Sequence, residues 1–297
     1  MMKGGCMMKK DLRFEIIPKV AHPWFDEVNK GAVAQAKFLE EQLDIKITVN
    51  YTAPSSADVA EQISILKKAA ATRPDGIAVD PLDFIDHMHV LDEIRDQGIP
   101  IIVFDSPPPE ATISSVGNNF TKQGVIAAER LVKLIGEAGK VAVMQGFPTA
   151  PNHKERYDAQ IAVLKKYPGI TIVDGGIDND DIHVAQKQAA VVLSAHPDLA
   201  GYLCCDASGP IGIAAAIHEA GKAGKVKFVG MDGIKPILQA IKEGVIESSA
   251  STIPRMQGSM SVLMLWQASC GMQIPQKIDT GIDLITQDNI DDFLALC

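Results

Sequence analysis

The stretch Gly98-Ile-Pro-Ile-Ile-Val-Phe-Asp-Ser106 decides how this chain reads. Ile99–Phe104 is a short, mostly β-branched apolar run bounded by Gly and Pro, the pattern of a strand buried on both faces. It stops on a carboxylate, Asp105, and the following Ser106-Pro-Pro-Pro109 cannot open a helix at once, so Asp105 is not obviously needed as a cap. The pattern returns in Val226-Lys-Phe-Val-Gly-Met-Asp232-Gly233. Two strands that end on an acid suggest a duplicated α/β architecture with a polar site at the strand ends.

Working outward, residues 12–105 read β-α-β-α-β-α-β. Leu12–Ile17, Ile45–Tyr51, Gly76–Val79 and Ile99–Phe104 are strands, with helices expected over 24–43, from Asp58, and over 84–97. Each crossover is long enough for a helix, which makes the sheet parallel. Ser106–Ser115 interrupts the pattern, and it then repeats. Helices are expected over 120–135, 153–167, 182–195, 210–221, 235–243 and 256–270, with strands over 140–144, 170–174, 200–205, 226–231, 246–252 and near 278–285, and a closing turn at 287–293. Arg73-Pro-Asp…Asp80 and His196-Pro-Asp…Asp206 are internal echoes, each one βα unit upstream of Asp105 or Asp232. The expected fold is therefore α/β, with two Rossmann-like lobes of parallel sheet flanked by helices. In open α/β sheets ligands bind beyond the carboxyl ends of the strands, where Asp80, Asp105, Asp206 and Asp232 fall.

Composition narrows the function classes. The 297 residues carry a net charge of −9, with 46% hydrophobic and 5% aromatic residues. The acidic balance argues against a nucleic-acid surface, and no apolar run reaches the length of a membrane-spanning helix. Residues 1–11 read as a leader or scar outside the fold, without the apolar core of a signal peptide. Cys6, Cys204, Cys205, Cys270 and Cys297 show no metal spacing, and the adjacent pair 204/205 reads as buried free thiols in a strand. The seven histidines form no HExxH pair, no GxGxxG opens a helix, and Gly136-Glu-Ala-Gly-Lys140 and Gly221-Lys-Ala-Gly-Lys225 precede strands as helix C-caps. Neither metal nor cofactor is expected. No Ser or Cys stands at recognisable spacing from a base, so no enzyme is expected.

The loop Pro18-Lys19…His22-Pro-Trp24-Phe25 combines a cation with two consecutive aromatics. Aromatic rings cover the C–H faces of a sugar while charged groups bond its hydroxyls. Trp24 and Phe25 also start an amphipathic helix, Asp206 and Asp232 could cap helices, and Arg156 could be a solvated helix-face charge.

Together the motifs His22-Pro-Trp-Phe25, Phe104-Asp-Ser106, Glu155-Arg156, Cys205-Asp206, Val229-Gly-Met-Asp-Gly233 and Thr252-Ile-Pro254 resemble the periplasmic sugar-binding proteins of the ribose-binding type (type I fold), whose fold also serves as the effector domain of lactose-repressor-like regulators. The resemblance runs from about Leu12 to Asp292. It implies a three-crossover hinge, an N-terminal lobe of 12–117 plus 254–279 and a second lobe of 118–253 plus 280–297, closing on a ligand. The implied contacts are His22, Trp24, Phe25, Asp105, Arg156, Asn179, Asp206, Asp232 and Thr252. Ser106 stands where the family has an Arg and His22 where it has an Asn, which implies a ligand other than plain ribose. A second likeness, to the autoinducer-2 receptor branch, rests on Ile17-Pro-Lys19, Phe104-Asp-Ser106, Pro148-Thr-Ala-Pro151 and Asp206-Ala207; it adds Lys19, and Asn152 and His153 replace that branch's Asp-Gln pair. The expected ligand is a small sugar, polyol or sugar acid. The expected partner is the permease of an ABC importer or a sensor protein, for a periplasmic or cell-surface monomer.

Overall fold

The computed structural model describes residues 9–106, 108 and 113–295. The expectations for most of 1–11, for Cys6 and Cys297 and for most of the proline run after Ser106 lie outside them. The chain divides into two compact units, one ending at Asn118 and resuming over Pro254–Thr280, the other formed by Asn119–Ile253 and Gly281 onward.

In the first unit β1 (Asp11–Ile17), β2 (Lys46–Tyr51), β3 (Gly76–Val79), β4 (Ile101–Phe104), β5 (Ser115–Gly117) and β11 (Lys277–Asp279) form a sheet in the order β11-β5-β4-β3-β1-β2, parallel throughout. Strands β3 and β4 are buried at every residue, as the continuous apolar runs require. Helices α2 (Val59–Ala71) and α3 (Phe84–Asp96) pack with them in a core that includes Leu66, Ile77, Val79, Val90, Leu91, Ile101 and Val103. Helices α1 (Pro23–Leu43) and α9 (Pro254–Ser269) pack together, with α9 against β3 and β4. Their approach is very close. A Cβ on Gly258 would stand 1.9 Å from the Val28 carbonyl oxygen, and one on Gly31 1.9 Å from that of Arg255, so neither position has room for a side chain.

In the second unit β6 (Ala138–Gln145), β7 (Gly169–Ile177), β8 (Leu199–Leu203), β9 (Lys227–Met231), β10 (Ser248–Ser251) and β12 (Asp283–Thr286) follow the order β12-β10-β9-β8-β6-β7. Strand for strand this repeats the first sheet. The exception is the last strand, since β12 runs antiparallel to β10 whereas β11 runs parallel to β5. Helices α4 (Phe120–Ile135) and α5 (Pro151–Leu164) pack together, as do α6 (Ile182–Ala195) and α7 (Gly209–Glu219), with α8 (Lys235–Lys242) beside α7 and α10 (Ile290–Leu294) beside α8. Asp58, Asp83, Asn119 and Asp181 cap α2, α3, α4 and α6 with side-chain oxygens that accept first-turn N–H groups.

Several boundaries differ from the sequence reading. The single strand expected near 278–285 is two strands in different sheets, β11 and β12, parted at Gly281 with φ 89°. Strand β5 begins where a loop was expected, helix α5 starts at Pro151 so that Asn152 and His153 are helical, and α10 replaces the closing turn. Cys204 and Cys205 lie beyond β8 rather than within it, both buried as free thiols.

Candidate functional site

In the first unit the carboxyl ends of β1, β3 and β4 bring together one cation and two carboxylates. Lys19, two residues past β1, is 2% exposed; its Nζ lies 3.6 Å from Asp105 Oδ2 and 3.8 Å from Asp80 Oδ2. The sequence placed Lys19 in a loop. The structure buries it because Phe25 closes beneath it, with Nζ 5.8 Å from the ring centroid, and the Phe25 ring packs edge-on against Phe104 at 6.3 Å. Asp80 is fully buried, and burial pushes its carboxyl up to about 7. Lys19 opposes that shift, the charge of Asp105 adds to it, and hydrogen bonding from Ser106, whose N–H donates to Asp80 Oδ1 at 3.1 Å, opposes it.

Local structure explains the convergence. Gln62 of α2, itself fully buried, donates from Nε2 to the carbonyls of Pro18 (2.9 Å) and Asp80 (2.8 Å) and accepts the Leu82 N–H (3.0 Å). One amide thus ties the exits of β1 and β3 together. Asp105 holds a left-handed backbone, φ 55°, with its N–H donating to the Val116 carbonyl. An Asp there costs of order 1 kcal/mol relative to relaxed backbone, and the turn directs the chain off β4 into Ser106, which is buried. His22 is the N-cap of α1: its Nδ1 accepts the Trp24 N–H at 3.1 Å, which leaves Nε2 as the donor of the neutral ring. Trp24 stands edge-on to Phe25 at 5.0 Å, and both rings are buried.

The second unit places its candidates at the matching strand ends. Arg156 is no solvated charge: it is 2% exposed, Nε donates to Gln123 Oε1 at 2.7 Å, Nη1 donates to the Cys205 carbonyl at 3.2 Å, and the guanidinium stacks 4.6 Å over the Phe120 ring. Gln123 in turn donates to the Ala250 carbonyl. Asp232, φ 63°, repeats the left-handed turn of Asp105. It does not cap α8; its Oδ1 accepts both the N–H (3.2 Å) and the hydroxyl of Thr252. Asp206 accepts the Gly209 N–H at 2.8 Å, so one of its oxygens serves the start of α7. Asn152 and His153 are buried on the first turn of α5, where His153 Nδ1 accepts the Phe147 N–H at 2.9 Å.

Asn179 is the candidate the structure sets apart. It is exposed on a left-handed turn, φ 54°. The buried carboxyl there is its neighbour Asp178, fully enclosed; burial pushes it well above the usual carboxylate range, and the Asp206 charge adds to the shift. Sequence reading missed Asp178, and it missed Gln62 and Gln123. It noted Asp80 at a strand end without placing it in the site. Among the described residues no His, Cys, Asp and Glu cluster could hold a metal ion, and no helix is long and apolar enough to cross a membrane.

Comparison with known proteins agrees with this architecture. Residues 16–273 match the periplasmic binding protein domain family. The chain is 24% identical to the D-ribose/D-allose-binding protein of Pseudomonas aeruginosa over 91% of this chain and 87% of that one. Against the D-allose-binding periplasmic protein of Escherichia coli the identity is 24%, covering 88% and 85%. Among solved structures, an ABC transporter solute-binding protein from Burkholderia graminis in complex with D-arabinose superposes with a TM-score of 0.89 at 28% identity, covering 95% of this chain and 97% of that one. Another from Agrobacterium vitis, bound with α-D-tagatopyranose, gives 0.88 at 26% identity, covering 95% and 96%. With strand-end acids repeated on two sheets of one order and a family match across most of its length, this chain belongs to the periplasmic binding protein domain family.

Proposed function

We propose that the protein is the solute-binding component of an ABC-type sugar importer and that it binds a small sugar, polyol or sugar acid through the strand-end residues of its units. The observation that carries this reading is the repeated placement of buried acids beyond the strands, Asp105 and Asp80 in one unit and Asp232 and Asp206 in the other, with a buried cation in each, Lys19 and Arg156. Carboxylates accept hydrogen bonds from ligand hydroxyls, the cations donate to ring and hydroxyl oxygens, and such charge-assisted bonds are about twice as strong as neutral ones. Lys19, His22, Trp24, Phe25, Asp105 and Ser106 would act from the first unit, and Asn152, His153, Arg156, Asp206, Asp232 and Thr252 from the second. Binding, not catalysis, is the role of these residues. The protein works as a monomer in the periplasm or at the cell surface and presents its ligand to a membrane permease.

A thermal-shift screen tests this with D-ribose, D-allose, D-arabinose, D-tagatose, alditols and sugar acids. A ligand at about 100 times its Kd adds about 2.7 kcal/mol to stability, so one class raises the melting temperature by several degrees. A flat response to every small polyhydroxylated compound overturns the proposal.

A further inference from the structure

The end of β6 carries a feature that the sugar-binding reading does not require. Asp178, the residue after β7, and Asp206, three residues past β8, flank β6 on either side in the sheet order β8-β6-β7. The residue between them at the end of β6 is Gly146. A Cβ there would stand 2.7 Å from Asp206 Oδ2 and 2.5 Å from His153 Nδ1. Any side chain at 146 would therefore displace the Asp206 carboxylate, and its absence lets that group lie over the strand that separates it from Asp178. Both acids are buried, at 0% and 1% exposure; the Asp178 N–H donates to the Gln145 carbonyl at 3.0 Å, which seats Asp178 beside Gly146, and among the described residues its Oδ2 meets no conventional donor. Two carboxylates placed together in a buried site do not both ionise, because like charges repel there and one proton shared between them relieves the repulsion; burial and the Asp206 charge both raise the Asp178 carboxyl.

The surroundings decide which acid keeps the proton. Asp206 accepts the Gly209 N–H at the start of α7, an eleven-residue helix whose N-terminus favours negative charge. Asp178 Oδ1 accepts the Asp180 N–H at 3.0 Å, so its Oδ2 is the atom left to carry a proton toward Asp206. The other titratable groups facing the pair are Asp180, the Tyr202 phenol, which donates to the Gly175 carbonyl, and the thiols of Cys204 and Cys205, which burial holds in their neutral form; His153 lies across Gly146, and Arg156 acts through the Cys205 carbonyl.

We propose that Asp178 is a positioning residue, a neutral carboxylic acid that donates its proton to a hydrogen bond with Asp206 and so holds Asp206 charged and oriented to accept a hydroxyl from the ligand. The inference rests on the sugar-binding reading and deepens it. The pair keeps a single negative charge, so this part of the site selects a hydroxyl donor over the carboxylate of a sugar acid, and its two members titrate together.

Two measurements on the full chain test it. Isothermal titration of the best sugar from the screen is run from about pH 5 to about pH 9 on wild type, D178N and D178L. Asn keeps both the acceptor for Asp180 and a donor for Asp206 but cannot ionise; Leu keeps neither. The wild type loses affinity at the alkaline end, where Asp178 gives up its proton, and D178N lacks that limb. D178L loses roughly ten- to hundredfold at neutral pH, the scale of a hydrogen bond to a charged group, and D178N recovers most of the loss. Thermal melts of ligand-free wild type and D178N over the same range form the second measurement. A carboxyl raised in the folded state holds a proton that the unfolded chain has released, so wild-type stability falls as pH rises above the unfolded value near 4, and D178N lacks this contribution. Parallel pH profiles of wild type and D178N in both measurements overturn the inference. If no sugar binds the wild type, the function fails on its own, and the ligand-free melts still decide whether the pair shares a proton.

Discussion

Replacing Lys19 by Met keeps most of the buried hydrocarbon and removes the charge that faces Asp80 and Asp105 at 3.8 and 3.6 Å. Removing one partner of a buried ion pair costs about 3–5 kcal/mol. Here the cost depends on pH in a direction the structure fixes. The Asp80 carboxyl sits at about 7 with Lys19 present, and Lys19 is the largest of the influences that hold it down, ahead of the hydrogen bonding from Ser106. Without Lys19, Asp80 stays protonated to higher pH. Below about 7 both proteins carry the Asp80 proton, so the difference between them is the lost partner of Asp105 and stays level. Above about 7 the folded variant holds a proton that the folded wild type has released, and its stability falls faster by about 1.4 kcal/mol per pH unit. Between about pH 6 and about pH 8.5 the penalty of K19M therefore grows by about 2 kcal/mol, or about 4–8 °C in melting temperature at 2–4 °C per kcal/mol. The chain supplies its own probe, since its two tryptophans, Trp24 and Trp266, both lie in the first unit, and urea titrations followed by their fluorescence read that unit alone. A penalty that is level across this range, or absent at the alkaline end, refutes the reasoning.

Two further substitutions separate packing from binding. G258A places a methyl group against the Val28 carbonyl where α1 and α9 meet; over-packing of this kind costs about 1–3 kcal/mol, and the tryptophan-monitored transition shifts down accordingly while the second unit is unaffected. D232N keeps an oxygen to accept the Thr252 N–H but loses the charge, so the ligand-induced thermal shift collapses while the ligand-free melting temperature moves little. Unfolding of D232N at room temperature would make Asp232 a structural acid instead.

The strands and their terminal acids were legible because both are punctuated locally: a short apolar run, then an Asp in a turn. Asp105 and Asp232 could be paired across the chain from that pattern alone, and the structure adds that both adopt left-handed backbone. What surrounds the acids was not legible. Gln62 and Gln123 sit in helical sequence as ordinary polar residues, yet both are fully buried: Gln62 ties two strand exits together, and Gln123 links Arg156 to the Ala250 carbonyl of β10. In Ile177-Asp-Asn-Asp-Asp181 nothing local distinguishes the enclosed Asp178 from the exposed Asn179, since it is the pairing of the Asp178 N–H with the Gln145 carbonyl across the sheet that seats Asp178 beside β6. Strands of three and four residues, β5, β11 and β12, are too short for their alternation to show.

The repeat also makes one difference between the units intelligible. Position for position, β1 corresponds to β6, β3 to β8 and β4 to β9, so Asp80 matches Asp206 and Asp105 matches Asp232. In the first unit the segment after β1 supplies Lys19, and a cation offsets two acids that stand together. In the second unit the segment after β6 supplies Gly146, which leaves no cation in that place. Asp232 is answered by the neutral Thr252, and Asp206 by the carboxyl of Asp178. The same problem, a buried acid at a strand end, is met by a lysine in one copy and by neutral donors in the other. The two copies must then respond differently to pH. Removing the lysine's charge makes the first unit more sensitive to alkali, whereas removing the ionisable group of Asp178 makes the second unit less so, and a single set of pH-dependent melts on K19M and D178N distinguishes these opposite signs.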